Sequence, residues 1–148
     1  MDKLKVIIID DEKRIRTSLV HVLKLHYPEA EVIGEAENIQ QAGELLKIKV
    51  PDVVLLDIKM PGGDGFELLK QLVPVDFKII FITAFDQYAI EAIKYSALDY
   101  LLKPVIPGEL VNALDKAKNE LNKEKENKRL KELLDNIEKK DRKIVLNT

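Results

Sequence analysis

Residues 52–70 read DVVLLDIKMPGGDGFELLK, and the fold follows from this stretch. Its opening, Asp52–Asp57, predicts a strand buried on both faces, because apolar residues run on instead of alternating with polar ones. The loop Lys59-Met60-Pro61-Gly62-Gly63 breaks the run. Asp64 then follows as a helix N-cap, with Glu67 three residues on, the spacing of a capping box. The helix that starts there carries Phe66, Leu69 and Leu72 on one face. Strand, short loop and amphipathic helix together make one βα unit.

The unit recurs on both sides. Upstream, a strand over Lys5–Asp10 leads to a helix with Ile15, Leu19, Val22 and Leu23 inward. That helix ends before Tyr27-Pro28, since the residue preceding a proline is disfavoured in helical conformation. A second strand spans Glu31–Glu37, and Asn38 opens a helix with Gln41 in the reciprocal capping position and Ala42, Leu45 and Leu46 inward. Downstream come a strand over Lys78–Thr83, a helix capped by Asp86 with Ala89 and Ile93 inward, and a strand over Leu98–Lys103. Pro107 suits the first turn of a last helix, striped by Leu110, Leu114, Ala117 and Leu121. Five βα units predict a flavodoxin-like, doubly wound α/β sandwich with a parallel sheet in the order 2-1-3-4-5. Its topological switch point lies between the first and third strands.

With 148 residues, 46% of them hydrophobic, the chain suits one domain with an appendage. A net charge of −2 gives no general attraction to nucleic acid or anionic membrane. There is no cysteine, so disulfides and thiolate metal sites are excluded. No signal pattern and no apolar run of roughly 20 residues appears, which makes a cytoplasmic protein without membrane partners the expectation. Residues 1–121 read as the folded domain and 122–141 as a helical linker. Residues 142–148, with Lys143–Leu146 strand-like, read as the start of a truncated C-terminal domain.

The chemistry gathers at the carboxyl ends of the strands, where parallel sheets build their sites. Asp10 ends the first strand and Asp11 follows it, Asp57 ends the third, Thr83 the fourth and Lys103 the fifth. Two carboxylates about 5 Å apart repel by roughly 3 kcal/mol at an effective dielectric near 20, so the acidic cluster calls for a cation. Mg²⁺ suits it, because that ion takes one or two carboxylates, waters and a phosphate oxygen. Asp57 is the candidate nucleophile toward a phosphoryl donor, and Lys103 the counter-charge. Each residue alone has a plainer role. The acids can be helix caps, Thr83 a strand residue and Lys103 a solvated lysine; it is their joint position that carries weight.

With these residues placed, the chain resembles the receiver domain of bacterial two-component response regulators over about residues 3–121. The carriers are Asp10-Asp11, DIKMPGGDG around Asp57, ITA at Thr83 and DYLLKP at Lys103-Pro104. The stretch TAFDQYAIEAIKYSALDYLLKP is similar to receivers of LytTR (LytR/AlgR-type) regulators. The resemblance implies that Asp57 accepts a phosphoryl group from a sensor histidine kinase. Mg²⁺ would be held by Asp11, Asp57 and the backbone carbonyl of Lys59, with Asp10 helping through water. Thr83, the Ala84 backbone and Lys103 would contact the phosphoryl group, Thr83 and Tyr100 would act as a switch pair, and the bond to Pro104 would be cis. The resemblance further implies transcription control through a DNA-binding domain C-terminal to this part. It allows a homodimer through helix 4, strand 5 and helix 5. Such a protein is a switch with its own phosphorylation and dephosphorylation chemistry, not a turnover enzyme. Lys59 and Phe85 depart from the chemotaxis-type pattern at two positions that influence loss of the phosphoryl group by attack of water.

Two other readings compete. A haloacid-dehalogenase-like aspartate phosphatase would need an acid two residues after Asp57, where Lys59 stands. A receiver used only for interaction, without phosphorylation, would not need the acidic pair, Thr83 and Lys103. His21 and His26 do not share a helical face and read as surface residues. Gly62-Gly63-Asp64-Gly65 lacks the Lys-Ser/Thr of a P-loop. Tyr88, Ile90 and Tyr95 fit either half-buried packing or a dimer face. Leu130, Leu133, Leu134 and Ile137 fit either a linker helix or a short coiled-coil seam.

Overall fold

The computed structural model describes residues 2–146, with side chains through residue 141. Its elements are β1 (Leu4–Ile9), α1 (Lys13–His26), β2 (Ala30–Ala36), α2 (Ile39–Ile48), β3 (Val53–Leu56), α3 (Gly65–Gln71), β4 (Lys78–Thr83), α4 (Ala89–Lys94), β5 (Asp99–Leu102) and α5 (Pro107–Leu146). The five strands are parallel in the order β2-β1-β3-β4-β5. The expected doubly wound sandwich is therefore the fold.

Register decides what meets at the sheet's carboxyl edge. Ile9 pairs with Leu56, so the residues that follow, Asp10 and Asp57, emerge side by side. Thr83 pairs with Leu102, which places Lys103 next to the end of β4. β1, β3 and β4 are central strands, and their residues Val6–Ile9, Val53–Leu56 and Ile79–Ile82 are all buried. One face packs Ile7, Ile9, Leu56 and Phe81 with Ala42 of α2, Phe66 and Leu69 of α3 and Ala92 of α4. Right-handed crossovers put α1 on the opposite face, because the chain reverses its direction across the sheet after β2. Tyr27, at the end of α1, donates a hydrogen bond to Asp115 of α5 at 3.0 Å and ties those two helices together.

Local signals hold at the starts of α2 and α3. Asn38 accepts a hydrogen bond from the Gln41 amide at 2.8 Å, and Asp64 accepts from the Glu67 amide at 2.9 Å. Gln41 returns its side-chain oxygen to the Glu37 amide rather than to Asn38, one residue off the standard box. α4 departs further. It starts at Ala89 with Tyr88 at the N-cap position and no side-chain cap, so Asp86 does not cap it. The later start turns the helix: Ala92 is buried while Ile93 is 74% exposed, the reverse of its expected inward place. Tyr88 and Tyr95 pack on the core around Phe66, and Ile90 faces solvent.

The chain divides into two units, Met1–Ala117 and Lys118–Thr148. The strand expected over Lys143–Leu146 does not form; α5 stays helical through Leu146, and residues 147–148 lie outside the described residues. No glycine or proline interrupts the chain after Gly108. A strand there would need a partner for its backbone groups, whereas a helix satisfies its own. Among the described residues no helix is long and apolar enough to cross a membrane.

Candidate functional site

Asp10, Asp11 and Asp57 each place a carboxylate oxygen within 4.8 Å of the others, the arrangement of a cation site. Asp10 and Asp57 are buried and Asp11 half-buried. The Lys103 ammonium reaches over the cluster, 2.7 Å from Asp10 and 2.9 Å from Asp57. The second oxygens of both acids are also held. Asp10 accepts from the Glu12 amide at 2.9 Å, and Asp57 from the Ile58 amide at 2.7 Å. Behind β1, Arg16 donates to the Asp10 carbonyl at 2.6 Å and pairs with Glu35 at 3.3 Å, fixing the strand end from which Asp10 projects.

Like charges this close repel by about 3 kcal/mol per pair at an effective dielectric near 20, and one ammonium faces three carboxylates. The residual negative charge suits a divalent cation with oxygen ligands. Burial pushes the Asp57 carboxyl up from the ordinary carboxylate range; the Lys103 pairing opposes this and the Asp10 charge adds to it. Burial alone would lower Lys103, but its bonds to Asp10 and Asp57 outweigh that and raise it, so the ammonium stays charged.

Gly65 lets β3 and α3 meet. A Cβ there would lie 2.6 Å from the Asp57 carbonyl oxygen and 3.1 Å from the Leu56 side chain. Its amide donates to the Ile58 carbonyl at 2.8 Å. The glycine-rich loop thus ends in a close packing contact directly behind Asp57.

Thr83 is fully buried, and its hydroxyl accepts from the Phe85 amide at 3.4 Å. The Tyr100 hydroxyl donates to the carbonyl of the same residue, Phe85. Thr83 and Tyr100 are therefore joined through the backbone of one residue in the β4–α4 loop. Sequence reasoning marked Phe85 for its side chain and missed this role, which any residue but proline can fill, since it needs only a main-chain N–H and carbonyl. The Phe85 ring is partly exposed and stands edge-on to Tyr88 at 6.2 Å, while the Lys59 ammonium lies 5.1 Å from the Tyr88 ring. Ala84 is exposed just after β4, and the Lys103–Pro104 bond is cis, as is Val73–Pro74. His21 and His26 are exposed on α1, away from this cluster.

Residues 6–115 match the response regulator receiver domain family. The chain belongs to that family. Among its relatives, this receiver is 40% identical over 119 residues to the sensory transduction protein LytT of Bacillus anthracis, covering 79% of this chain and 48% of LytT. It is 39% identical over 123 residues to the transcriptional regulatory protein BtsR of Escherichia coli K12, covering 82% of this chain and 51% of BtsR. The receiver thus spans about half the length of the curated relatives it matches. Of solved structures, the receiver domain of AraT, a response regulator from Geobacillus stearothermophilus, superposes with a TM-score of 0.75 at 37% identity, covering 84% of this chain and 99% of that one. The response regulatory domain of mrkE from Klebsiella pneumoniae gives 0.73 at 30% identity, covering 80% and 98%. The LytT relatives agree with the LytTR-type likeness seen between Thr83 and Pro104.

Proposed function

We propose that this receiver is a phosphorylation switch. A carboxylate oxygen of Asp57 attacks the phosphorus of a phosphohistidine on a sensor histidine kinase. An O–P bond forms, the P–N bond breaks and the imidazole leaves. The observation that carries this reading is the Lys103 ammonium bridging Asp10 and Asp57 beside Asp11 at the sheet's switch point. Lys103 offsets negative charge where the phosphoryl group arrives. Mg²⁺ fits the hard-oxygen donors of Asp10, Asp11, Asp57 and the Lys59 carbonyl, and would supply further charge neutralisation there. Thr83 and the Ala84 backbone lie at the end of β4, suited to contact phosphoryl oxygens. A Thr83 hydroxyl drawn toward phosphate would give up the Phe85 amide, and so bias the loop that Tyr100 also holds. Phe85 is proposed to shield the acyl phosphate and slow its loss, with Lys59, which meets Tyr88 beside it, also influencing the attack of water.

The output is proposed to be transcription control, through a DNA-binding domain of the full-length protein in the cytoplasm. The relatives' names, sensory transduction protein and transcriptional regulatory protein, support it. Exposed Ile90 and Ile93 on α4, with Leu102 of β5 and Ile106 before α5, favour a homodimer through that face once Asp57 is phosphorylated. This is a switch and not a turnover enzyme.

Incubation with Mg²⁺ and acetyl phosphate tests the reading. The expected result is a mass gain of one phosphoryl group, absent in Asp57→Asn, together with Mg²⁺-dependent binding of beryllofluoride. Folded wild-type protein that takes up neither would sink it.

A further inference from the structure

Every side chain from Asn122 to Asp141 is exposed, and the apolar ones among them are Leu130, Leu133, Leu134 and Ile137, at 50–61% exposure. All lie on one uninterrupted helix. Heptad letters assigned with Leu130 at d put Leu134 at a, Ile137 at d and Leu133 at g. Every b, c, e and f position from 128 to 139 is then polar or charged: Lys128, Arg129, Lys131, Glu132, Asp135, Asn136, Glu138 and Lys139. Leu130, Leu134 and Ile137 take the a and d positions of a coiled-coil seam, and Leu133 at g widens the stripe on one side; all four are exposed.

The flanking residues name the occupant. Asn127 falls at the preceding a position, where one buried asparagine selects a parallel two-stranded pair by bonding to its own copy. Glu126 falls at g and Lys131 at the following e. In a parallel pair of identical helices the g residue of one faces the next e residue of the other, so Glu126 meets Lys131 twice with opposite charge. Self-complementarity of both kinds points to a second copy of this chain.

We propose that residues 126–138 of α5 form a parallel, two-stranded coiled coil with a second copy of this chain. The contact is distinct from the α4–β5–α5 face and independent of Asp57. Two heptads alone make a weak pair, since sustained coiled coils take three to four or more, so association is concentration-dependent.

Sedimentation equilibrium on the whole chain, without phosphodonor, tests it. Wild type is expected to dimerise. Leu130→Gln/Leu134→Gln/Ile137→Gln, which keeps good helix formers, is expected to be monomeric, with unchanged thermal unfolding of the receiver and unchanged beryllofluoride binding. Glu126→Lys should weaken the dimer several-fold, and Glu126→Lys/Lys131→Glu should restore it. Because the chain has no cysteine, Asn127→Cys gives a clean orientation test: it should form disulfide dimers on oxidation while Glu132→Cys, at f, does not. A monomeric wild type would overturn the proposal. So would a dimer that appears only with beryllofluoride and survives the triple substitution, or one in which Asn127→Cys fails to cross-link. None of these outcomes bears on phosphorylation at Asp57, which is read separately by mass.

Discussion

Leu56 and Phe81 in the sheet and Leu134 and Ile137 in the C-terminal stretch are large apolar residues in opposite surroundings. The first two are fully buried between helices, and the second two are more than half exposed. In the receiver, each strand becomes a strand because its neighbours complete the ladder and its side chains fill a shared core. In the stretch beyond residue 118, helix forms from local hydrogen bonds and helix-favouring lysine, glutamate and leucine, and every described side chain from Asn122 on is exposed. The same residue type is therefore structural in one region and a recognition element in the other.

The sharpest way to break that contrast is to truncate one residue of each kind. Phe81→Ala removes a ring that packs on Phe66 at 5.2 Å and on Tyr100 at 6.1 Å, and should cost about 3–5 kcal/mol in denaturant unfolding. Leu134→Ala should leave the receiver's unfolding within about 0.5 kcal/mol of wild type. Equal losses would show that the two regions share a core.

A smaller effect is expected where packing reaches the site. Gly65→Ala brings a methyl group against the Asp57 carbonyl and should cost about 1–3 kcal/mol, with weaker beryllofluoride binding. Gly108→Ala, whose new methyl would meet nothing within 4 Å, serves as the neutral control.

A modest effect belongs to a polar tie inside the receiver. Burial, then the hydrogen bond to Asp115, raises the Tyr27 phenol above its usual range. A raised folded-state value means the stabilisation is complete below the unfolded pKa of about 10 and fades as pH rises through the folded one. Tyr27→Phe should therefore cost about 1 kcal/mol at neutral pH and show a shallower alkaline loss of stability than wild type. Parallel pH profiles for the two proteins would refute the coupling between α1 and α5.

Much of the receiver was legible because its signals are local and agree with one another. Unbroken apolar runs marked β1, β3 and β4, and Asn38 and Asp64 marked helix starts by side-chain chemistry. α4 was misread because a six-residue helix has too few turns for periodicity to set its phase. Where it starts is decided by Tyr88 and Tyr95 packing around Phe66. At Lys143–Leu146 α5 continues where a strand was expected, because a helix satisfies its own backbone groups and a strand needs a neighbour. The link from Thr83 to Tyr100 was invisible because it runs through the Phe85 main chain.

Sequence alone determined the order of βα units, and with it the parallel sheet and the strand ends that carry Asp10, Asp57, Thr83 and Lys103. Periodicity and capping are properties of neighbouring residues and survive without a fold. Only the tertiary structure decided that these groups meet. The Ile9–Leu56 and Thr83–Leu102 registers and the close approach at Gly65 bring Lys103 to 2.7 Å from Asp10 and 2.9 Å from Asp57, across 93 and 46 residues of chain. Distances between residues so far apart are set by packing, because no local preference extends over that length.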